Sequence, residues 1–327
     1  MAGVSVATVS RALSNPAIVS ETTRLAVVRA VEESGYTVNL AARSLRQQQV
    51  GAVLALVPKL ANPFFSEILA GISDTLRGEG LSLLVLDTAD LTGPDAVAAL
   101  QPYLNRSRSD GVIVLDGRLD PAPFLHASCP PVIQACEWIE GLDTPRVLAD
   151  NAGGARMAAE HLLDLGHRRL IHVTGPEENC LSRERRRGIE AAMAAAGLPP
   201  VPALPGDFSL GSGRRAAGTI LDMAQRPTGV ICDNDEMAIG LIHRLTAEGM
   251  VVPDDISVVG FDNIQMAAYT VPGLTTVAQR SRDIGSLAAS RLLAQLREPG
   301  ALPETVMPVE LLVRQSTCPP AAPRAGE

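Results

Sequence analysis

The sequence predicts an α/β chain: a small helical N-terminal head, then two doubly wound sheets of mostly parallel strands. Three observations predict it. Residues 3–46 fall into three short helical pieces, each with its own start signal; from residue 50 apolar runs of strand length alternate with amphipathic stretches; and that alternation runs twice, with a break near residues 147–151. Strands written as unbroken Val/Leu/Ile runs are buried on both faces, as in parallel sheets covered by helices. A chain of 327 residues exceeds what one hydrophobic core supports, so two or three domains are expected.

The head opens with Ser5, placed to cap a helix from Val6 to Leu13 that Asn15-Pro16 stops. Val9 and Leu13, four apart, share one face, while Val6, Ala7, Ser10 and Arg11 fall largely outside that stripe. Small side chains with one arginine suit close approach to a flat polar surface such as the DNA major groove, where Arg matches guanine O6 and N7. A short solvated helix accounts for the same residues. Ser20 caps a second helix, Glu21 to Glu33, ended by Gly35, and Asn39 is placed to cap a third from Leu40 to Arg46.

The body follows in order. Strands are expected at 50–58, 81–88, 111–116 and 131–136, with helices from about Pro63 to Arg77, its face formed by Ile68, Leu69, Ile72 and Leu76, and near Pro94–Asn105. A second series begins after VLADN (147–151): helix 152–165, strand 169–175, helices 182–196 and 212–225, strand 229–233, helix 235–248 and strand 256–262. Strand 275–279, helix 281–296 and a last strand, VMPVELLVR (306–314), close the chain. The domain plan is therefore a head over 1–46 and a body over 50–317. Within the body, sub-domains lie at about 50–149 and 150–277, and segments 278–317 cross back between them. The tail from Cys318, CPPAAPRAGE, is expected to be disordered. Two such sheets joined by crossovers form a hinged cleft, with ligand groups at the carboxyl ends of the strands.

Net charge is −8, but residues 1–50 hold five arginines against three glutamates, leaving the acidity to the body. A mildly basic head on an acidic body suits contact with DNA at one end only. Five irregularly spaced cysteines without a C-x-x-C pair read as reduced thiols of the cytoplasm, and no metal or cofactor is expected. There is no secretory leader and no apolar run near the length of a membrane span.

The stretch VSVATVSRALSNPAIVSETTRLAVVRAVEESGY, followed by NLAARSL, closely resembles the DNA-binding head of the LacI/GalR family of transcriptional regulators. The resemblance implies a helix-turn-helix whose recognition helix is Val6 to Leu13, with Val6, Ala7 and Arg11 at base-reading positions and Ser5, Thr8 and Ser10 at phosphate-contact positions. It also implies a hinge helix around Ala41–Leu45, with Arg43 beside Leu45 and Leu45 as a minor-groove wedge. The family's first helix precedes the AGVS turn, and this sequence opens at Met1-Ala2-Gly3 within that turn. The expectation is a start codon assigned too late or a head truncated within the helix-turn-helix.

Residues 50–317 resemble the same family's effector domain, which is similar to periplasmic sugar-binding proteins. That resemblance implies a homodimer on a palindromic operator, controlled by a small molecule in the cleft. It places Asp150 (in DNAGG), Arg185 (in SRERRRGIEAAM), Asn234 and Asp235 (in DNDEMAIG) and Asp262 (ending ISVVGFD) at the ligand. Asp235 fits equally well as a helix cap and Asp262 as a turn cap, while Arg183, Arg186 and Arg187 read as a solvated face. Asn62-Pro63-Phe64-Phe65 offers two rings, either as core anchors or, for Phe64 first, as a stacking platform for a sugar or nucleobase. The phrases VPKLANPFFSEILAGI, PPVIQACEW, TGPEEN and GDFSLGSG resemble a cytidine-repressor-like sub-group, so a nucleoside is the first expectation and a sugar or sugar acid the second.

Two other classes compete. An enzyme on a Rossmann-like sheet predicts a glycine-rich loop after the first strand, but that loop reads VPKLANPFF, and no G-x-S-x-G, H-E-x-x-H or P-loop occurs. Gly211-Ser212-Gly213 begins a helix without a clear preceding strand. A ligand-binding protein that does not touch DNA, because its head is incomplete, is the remaining alternative.

Overall fold

The computed structural model describes residues 2–14, 16–35, 49–91, 95–298, 300 and 302–321. The chain divides into two compact units, 1–50 and 51–327. The expected hinge helix, with Arg43 and Leu45, lies outside the described residues.

In the first unit α1 spans Val6–Ser14 and α2 spans Glu21–Ser34. Ser20 caps α2 by accepting from the Thr23 N–H, and Gly35 ends it in the left-handed region at φ 63°, a conformation that glycine adopts without a Cβ penalty. Among the described residues of this unit, Ala12 of α1 and Val27 of α2 are the buried hydrophobic side chains.

The second unit holds two six-stranded sheets. The first is built from β1 (Ala52–Val57), β2 (Ser82–Asp87), β3 (Gly111–Val114), β4 (Val132–Ala135), β5 (Arg146–Ala149) and β11 (Thr305–Met307), ordered β11-β5-β4-β3-β1-β2. The second comprises β6 (Leu170–Thr174), β7 (Ala203–Pro205), β8 (Gly229–Cys232), β9 (Ser257–Asp262), β10 (Thr275–Ala278) and β12 (Glu310–Leu312), ordered β12-β10-β9-β8-β6-β7. Every pairing is parallel except β10 with β12. All residues of β1, β3, β4, β6, β8, β9 and β10 are buried, as expected of parallel strands covered on both faces.

The helices of this unit are α3 (Pro63–Gly78), α4 (Ala96–Leu100), α5 (Asn151–Asp164), α6 (Cys180–Ala195), α7 (Leu210–Leu221), α8 (Asp235–Ala247) and α9 (Ser281–Arg297). α9 returns to the first sheet and packs along α3, where Gly71 meets the Arg282 carbonyl and Gly285 meets the Ile68 carbonyl. A Cβ at Gly285 would collide with backbone, which cannot move aside cheaply. Gly285→Ala is therefore expected to cost about 1–3 kcal/mol, read as a lower urea midpoint at unchanged slope; an unchanged midpoint would show that the helix pair can spread.

Four expectations change. The single closing strand over 306–314 is two strands, β11 and β12, one in each sheet, with Pro308 between them; proline lacks the N–H that a continuous ladder needs. A strand, β7, precedes the Gly211 segment; it is only three residues long, with Pro202 just before it and Pro205 at its end, so it carries no strand signature. The helix near 94–105 is regular only over Ala96–Leu100. The tail begins ordered, since the Cys318 N–H donates to Ser257 Oγ at 3.0 Å and the Cys318 carbonyl lies 2.9 Å from His167 Nε2.

Candidate functional site

In both sheets the strand order reverses at the first strand, β1 or β6, and a doubly wound sheet opens its crevice there. A cavity of 140 Å³ lies at that place, walled by both sheets. Pro58, Lys59 and Asn62 follow β1, Arg118 follows β3 and Glu137 follows β4; from the other wall come Asn179 before α6, Asp207 and Phe208 after β7, Asn234 after β8 and Asp262 ending β9.

Arg185 organises the second wall. It projects from α6, is 2% exposed, and donates from Nε to Asn151 Oδ1 at 2.9 Å and from a terminal nitrogen to the Asp233 carbonyl. Its guanidinium lies 3.9 Å from the centroid of the Phe261 ring and 3.6 Å from Asp262 Oδ1. Gln279 donates to the same Asp262 oxygen at 2.7 Å. Burial pushes the Asp262 carboxyl up to about 7 against the pull of Arg185. Asp233 is itself fixed beneath, 2.7 Å from His172 Nε2 and accepting from the Gly175 N–H at 2.7 Å.

On the first wall Arg118 grips Asp116 with two nitrogens, at 3.0 and 2.9 Å, and Thr88 donates to Asp116 at 2.6 Å. Glu137 is buried and accepts from the Gly117 N–H at 2.9 Å. Burial, then the nearby Asp116, pushes its carboxyl up to about 7. Asp207 goes the other way: burial would raise it, but bonds from Ser209, Ser212 and Arg215 hold it at about 2.

Among the described residues, non-glycine positions with positive φ are Cys136 (66°), Phe208 (62°), Asp262 (112°) and Asn263 (54°). Phe208 and Asp262 line the cavity, and Cys136 and Asn263 adjoin its carboxyl residues Glu137 and Asp262. Backbone held in so sparsely populated a region persists where the surrounding structure enforces it, which is typical of ligand clamps.

Five of the seven residues expected at the ligand meet here: Phe64, Phe65, Arg185, Asn234 and Asp262. The two rings are edge-on, with centroids 5.2 Å apart, and both are buried while facing the cavity. Asn234 uses its oxygen to cap α8 on the Met237 N–H and its nitrogen to hold the Phe208 carbonyl at 3.0 Å. Asp150 and Asp235 are placed elsewhere. Asp150 is exposed and caps α5 on the Gly153 N–H at 2.8 Å. Asp235 is fully buried, accepting from the Ile264 N–H at 2.9 Å and from Thr276 Oγ1 at 2.6 Å. Sequence reasoning passed over Arg118, Glu137, Asn179 and Phe208. The first two stand just past expected strands, where the strand-end rule could have found them; Phe208 follows the strand that was missed.

In the head, Ser5 Oγ accepts from the Thr8 N–H at 3.2 Å, and Val6, Ala7 and Arg11 are exposed, Val6 to 83%. Arg11 Nε donates to the Ala7 carbonyl at 3.2 Å, which sets the guanidinium along the helix surface. The side chain of Ser10, like Arg43 and Leu45, lies outside what is described.

Residues 1–39 match the profile described as bacterial regulatory proteins, lacI family, and residues 159–317 match that of a periplasmic binding protein-like domain. The chain is 35% identical to the HTH-type transcriptional repressor CytR of Escherichia coli (strain K12) over 321 residues, 97% of this chain and 94% of that protein. It is 34% identical to the HTH-type transcriptional repressor PurR of Vibrio campbellii (strain ATCC BAA-1116), over 91% of this chain and 90% of that one. Among solved structures it resembles the lac repressor dimer bound to operator and the anti-inducer ONPF, with TM-score 0.85 and 28% identity over 97% and 96% of the two chains. It also resembles a LacI family transcriptional regulator from Enterococcus faecium with bound ribose, with TM-score 0.75 and 30% identity over 82% and 99%.

Proposed function

Because the chain belongs to the LacI family of bacterial regulatory proteins, we propose that it is a DNA-binding transcriptional repressor whose cleft takes a nucleoside as effector, with a sugar as the second reading. The observation that carries the effector class is the pairing of rings with buried carboxyl groups around one cavity: the buried Phe64 and Phe65 and the half-buried Phe208 beside Glu137 and Asp262. Flat apolar walls suit a base, and carboxyl oxygens suit pentose hydroxyls. A family member with ribose bound in its structure supports the pentose half of this reading. The role is regulation rather than catalysis, exercised in the cytoplasm where the operator is.

A homodimer would set the recognition helices on successive major grooves of a palindromic operator, with half-sites one turn or roughly 10 base pairs apart. Ser5, Thr8 and Ser10 would hold phosphates, and Val6, Ala7 and Arg11 would face bases. The roles of Arg43 and Leu45 in the minor groove rest on the family resemblance. Ligand in the cleft would shift operator affinity by as much as it prefers one state of the cleft over the other.

Calorimetry against cytidine, adenosine, ribose and glucose tests the effector class. Selective binding of a nucleoside supports it; binding of a free sugar alone would leave the repressor and discard the nucleoside. Arg11→Ala is expected to relax base preference at one position of each half-site, at a cost of about 1–3 kcal/mol. A randomised-operator selection with an unchanged preference profile would remove Arg11 from the reading set.

A further inference from the structure

We infer that closing the cleft is coupled to uptake of a proton by Glu137, a positioning residue that spans the two walls. Its carboxyl accepts from the Gly117 N–H on its own wall and is close enough to the Asn179 side chain on the opposite wall for that amide to favour its ionised form. Asn179 is oriented for this, because its oxygen is already taken in capping α6 on the Leu181 N–H at 2.8 Å, leaving the amide nitrogen to face Glu137. The neighbouring residues also cross the gap: the Cys180 thiol lies against the Trp138 backbone, and Arg183 lies 3.2 Å from Glu140. So the segment after β4 and the start of α6 are fastened together where the walls touch.

The sign of the coupling follows from what Glu137 faces. On its own wall stand Asp116, Arg118 and Cys136, and on the other Cys180, with Glu178 beside Arg118. Burial is the largest influence and Asp116 adds repulsion, while Gly117, Asn179 and Arg118 oppose them; burial prevails, and the carboxyl sits at about 7 against an ordinary 4.5. Arg118 offers limited relief because it is committed to Asp116. Parting the walls removes Asn179 and admits water, which returns the carboxyl toward its ordinary value. Protonation therefore favours the closed cleft, and ionisation opposes it. Asp262 differs, since the groups that act on it most, Arg185, Gln279, Glu236 and Asp233, belong to the second sheet's side, as does Asp235, and from the first wall only the Cys136 thiol is recorded beside it among the described residues.

This coupling rests on the cleft being the effector site, and one arm of its test needs no ligand. Trp138 is the single tryptophan of the chain and lines a shallow pocket with Cys180 and Arg183 of the opposite wall. As pH rises, emission from the full-length, ligand-free protein is expected to move to longer wavelength with a midpoint at or below about 7. Glu137→Gln should lack the transition, and Asp262→Asn should keep it. Asn179→Ser, which retains a helix cap but cannot reach Glu137, should move the midpoint up. A transition that persists in Glu137→Gln, or one lost in Asp262→Asn, overturns the assignment. Should Glu137→Gln not fold, an unmoved midpoint in Asn179→Ser does so.

The second arm is cytidine affinity. In the wild type it is expected to weaken by up to about tenfold per pH unit as pH rises toward the Glu137 midpoint, then to level off. In Glu137→Gln the share of this pH dependence carried by Glu137 should be gone, leaving only that of Asp262, which Asp262→Asn removes, and near pH 8 the affinity should exceed that of the wild type. A purely structural Glu137 predicts the reverse, weaker binding at every pH. If cytidine binds at no pH, the nucleoside reading fails, and the fluorescence arm alone decides the coupling.

Discussion

Replacing Arg185 by alanine is expected to cost the folded chain about 3–5 kcal/mol and to abolish the effector response. The guanidinium is buried against Asn151, the Asp233 carbonyl, the Phe261 ring and Asp262. Its removal leaves Asp262 in a dry wall without its cation and the Asn151 amide without a donor. Truncating one member of a buried charged pair at a binding site costs about 2–5 kcal/mol of affinity, a loss of roughly thirtyfold or more. Urea unfolding reads the first quantity, and calorimetry with a bound nucleoside reads the second at a temperature where the variant is folded. Arg185→Lys keeps the charge but loses the planar fork, and should recover stability better than affinity. Wild-type affinity in Arg185→Ala would take this residue out of the cage.

Asp235 separates a structural carboxyl from a ligand-facing one. Burial pushes it far above the ordinary carboxylate range, toward the neutral acid, and both of its oxygens are occupied, by the Ile264 N–H and by Thr276. Asp235→Ala leaves those two buried groups without a partner, at about 1–3 kcal/mol each. Asp235→Asn is nearly isosteric with the neutral acid and should cost far less. Effector affinity per folded molecule should be unchanged in both variants. A selective loss of affinity in Asp235→Asn, with its melting temperature intact, would return Asp235 to the ligand.

A raised carboxyl also fixes the direction of pH dependence for the fold. The folded values of Glu137 and Asp262, about 7, lie above their ordinary 4.5 and 3.8. Their contribution to stability is fully present below those ordinary values and is lost as pH rises through about 7. Neither group is the kind that an acid shift from pH 7 would expose as a weak point.

The parallel sheets were legible because a strand covered on both faces has no polar alternation to write, so β1, β3, β4, β6, β8 and β9 stand out as apolar runs. The three short edge strands lack that mark: β7 is three residues ending in proline, and β11 and β12 look like one strand until proline is weighed as a missing donor; β2, the fourth edge, is an apolar run although its residues are exposed or half-buried. The cleft was half legible. Arg185, Asn234 and Asp262 were reached through motif position, and Phe64 and Phe65 through the scarcity of aromatics. Asp150 and Asp235 carry the same sequence signature, a carboxylate between a strand and a helix. Whether its oxygens turn to a helix N-terminus, a neighbouring strand or a cavity depends on backbone torsion that residue type does not encode. Glu137 was missed for a related reason, since its partner Asn179 is 42 positions away on another sheet.

The division of the closing residues between β11 and β12 has a consequence for biosynthesis. One edge of each sheet is supplied by residues 305–312, and α9, which covers the first sheet, begins only at Ser281. Domains made on the ribosome commonly fold in order of emergence, but here the lobe encoded first cannot be completed before the lobe encoded second. Both wait for residues 305–312 to leave the exit tunnel. A nascent chain stalled before Thr305 would expose two unfinished sheet edges at once, and a frameshift that late would spoil both lobes together.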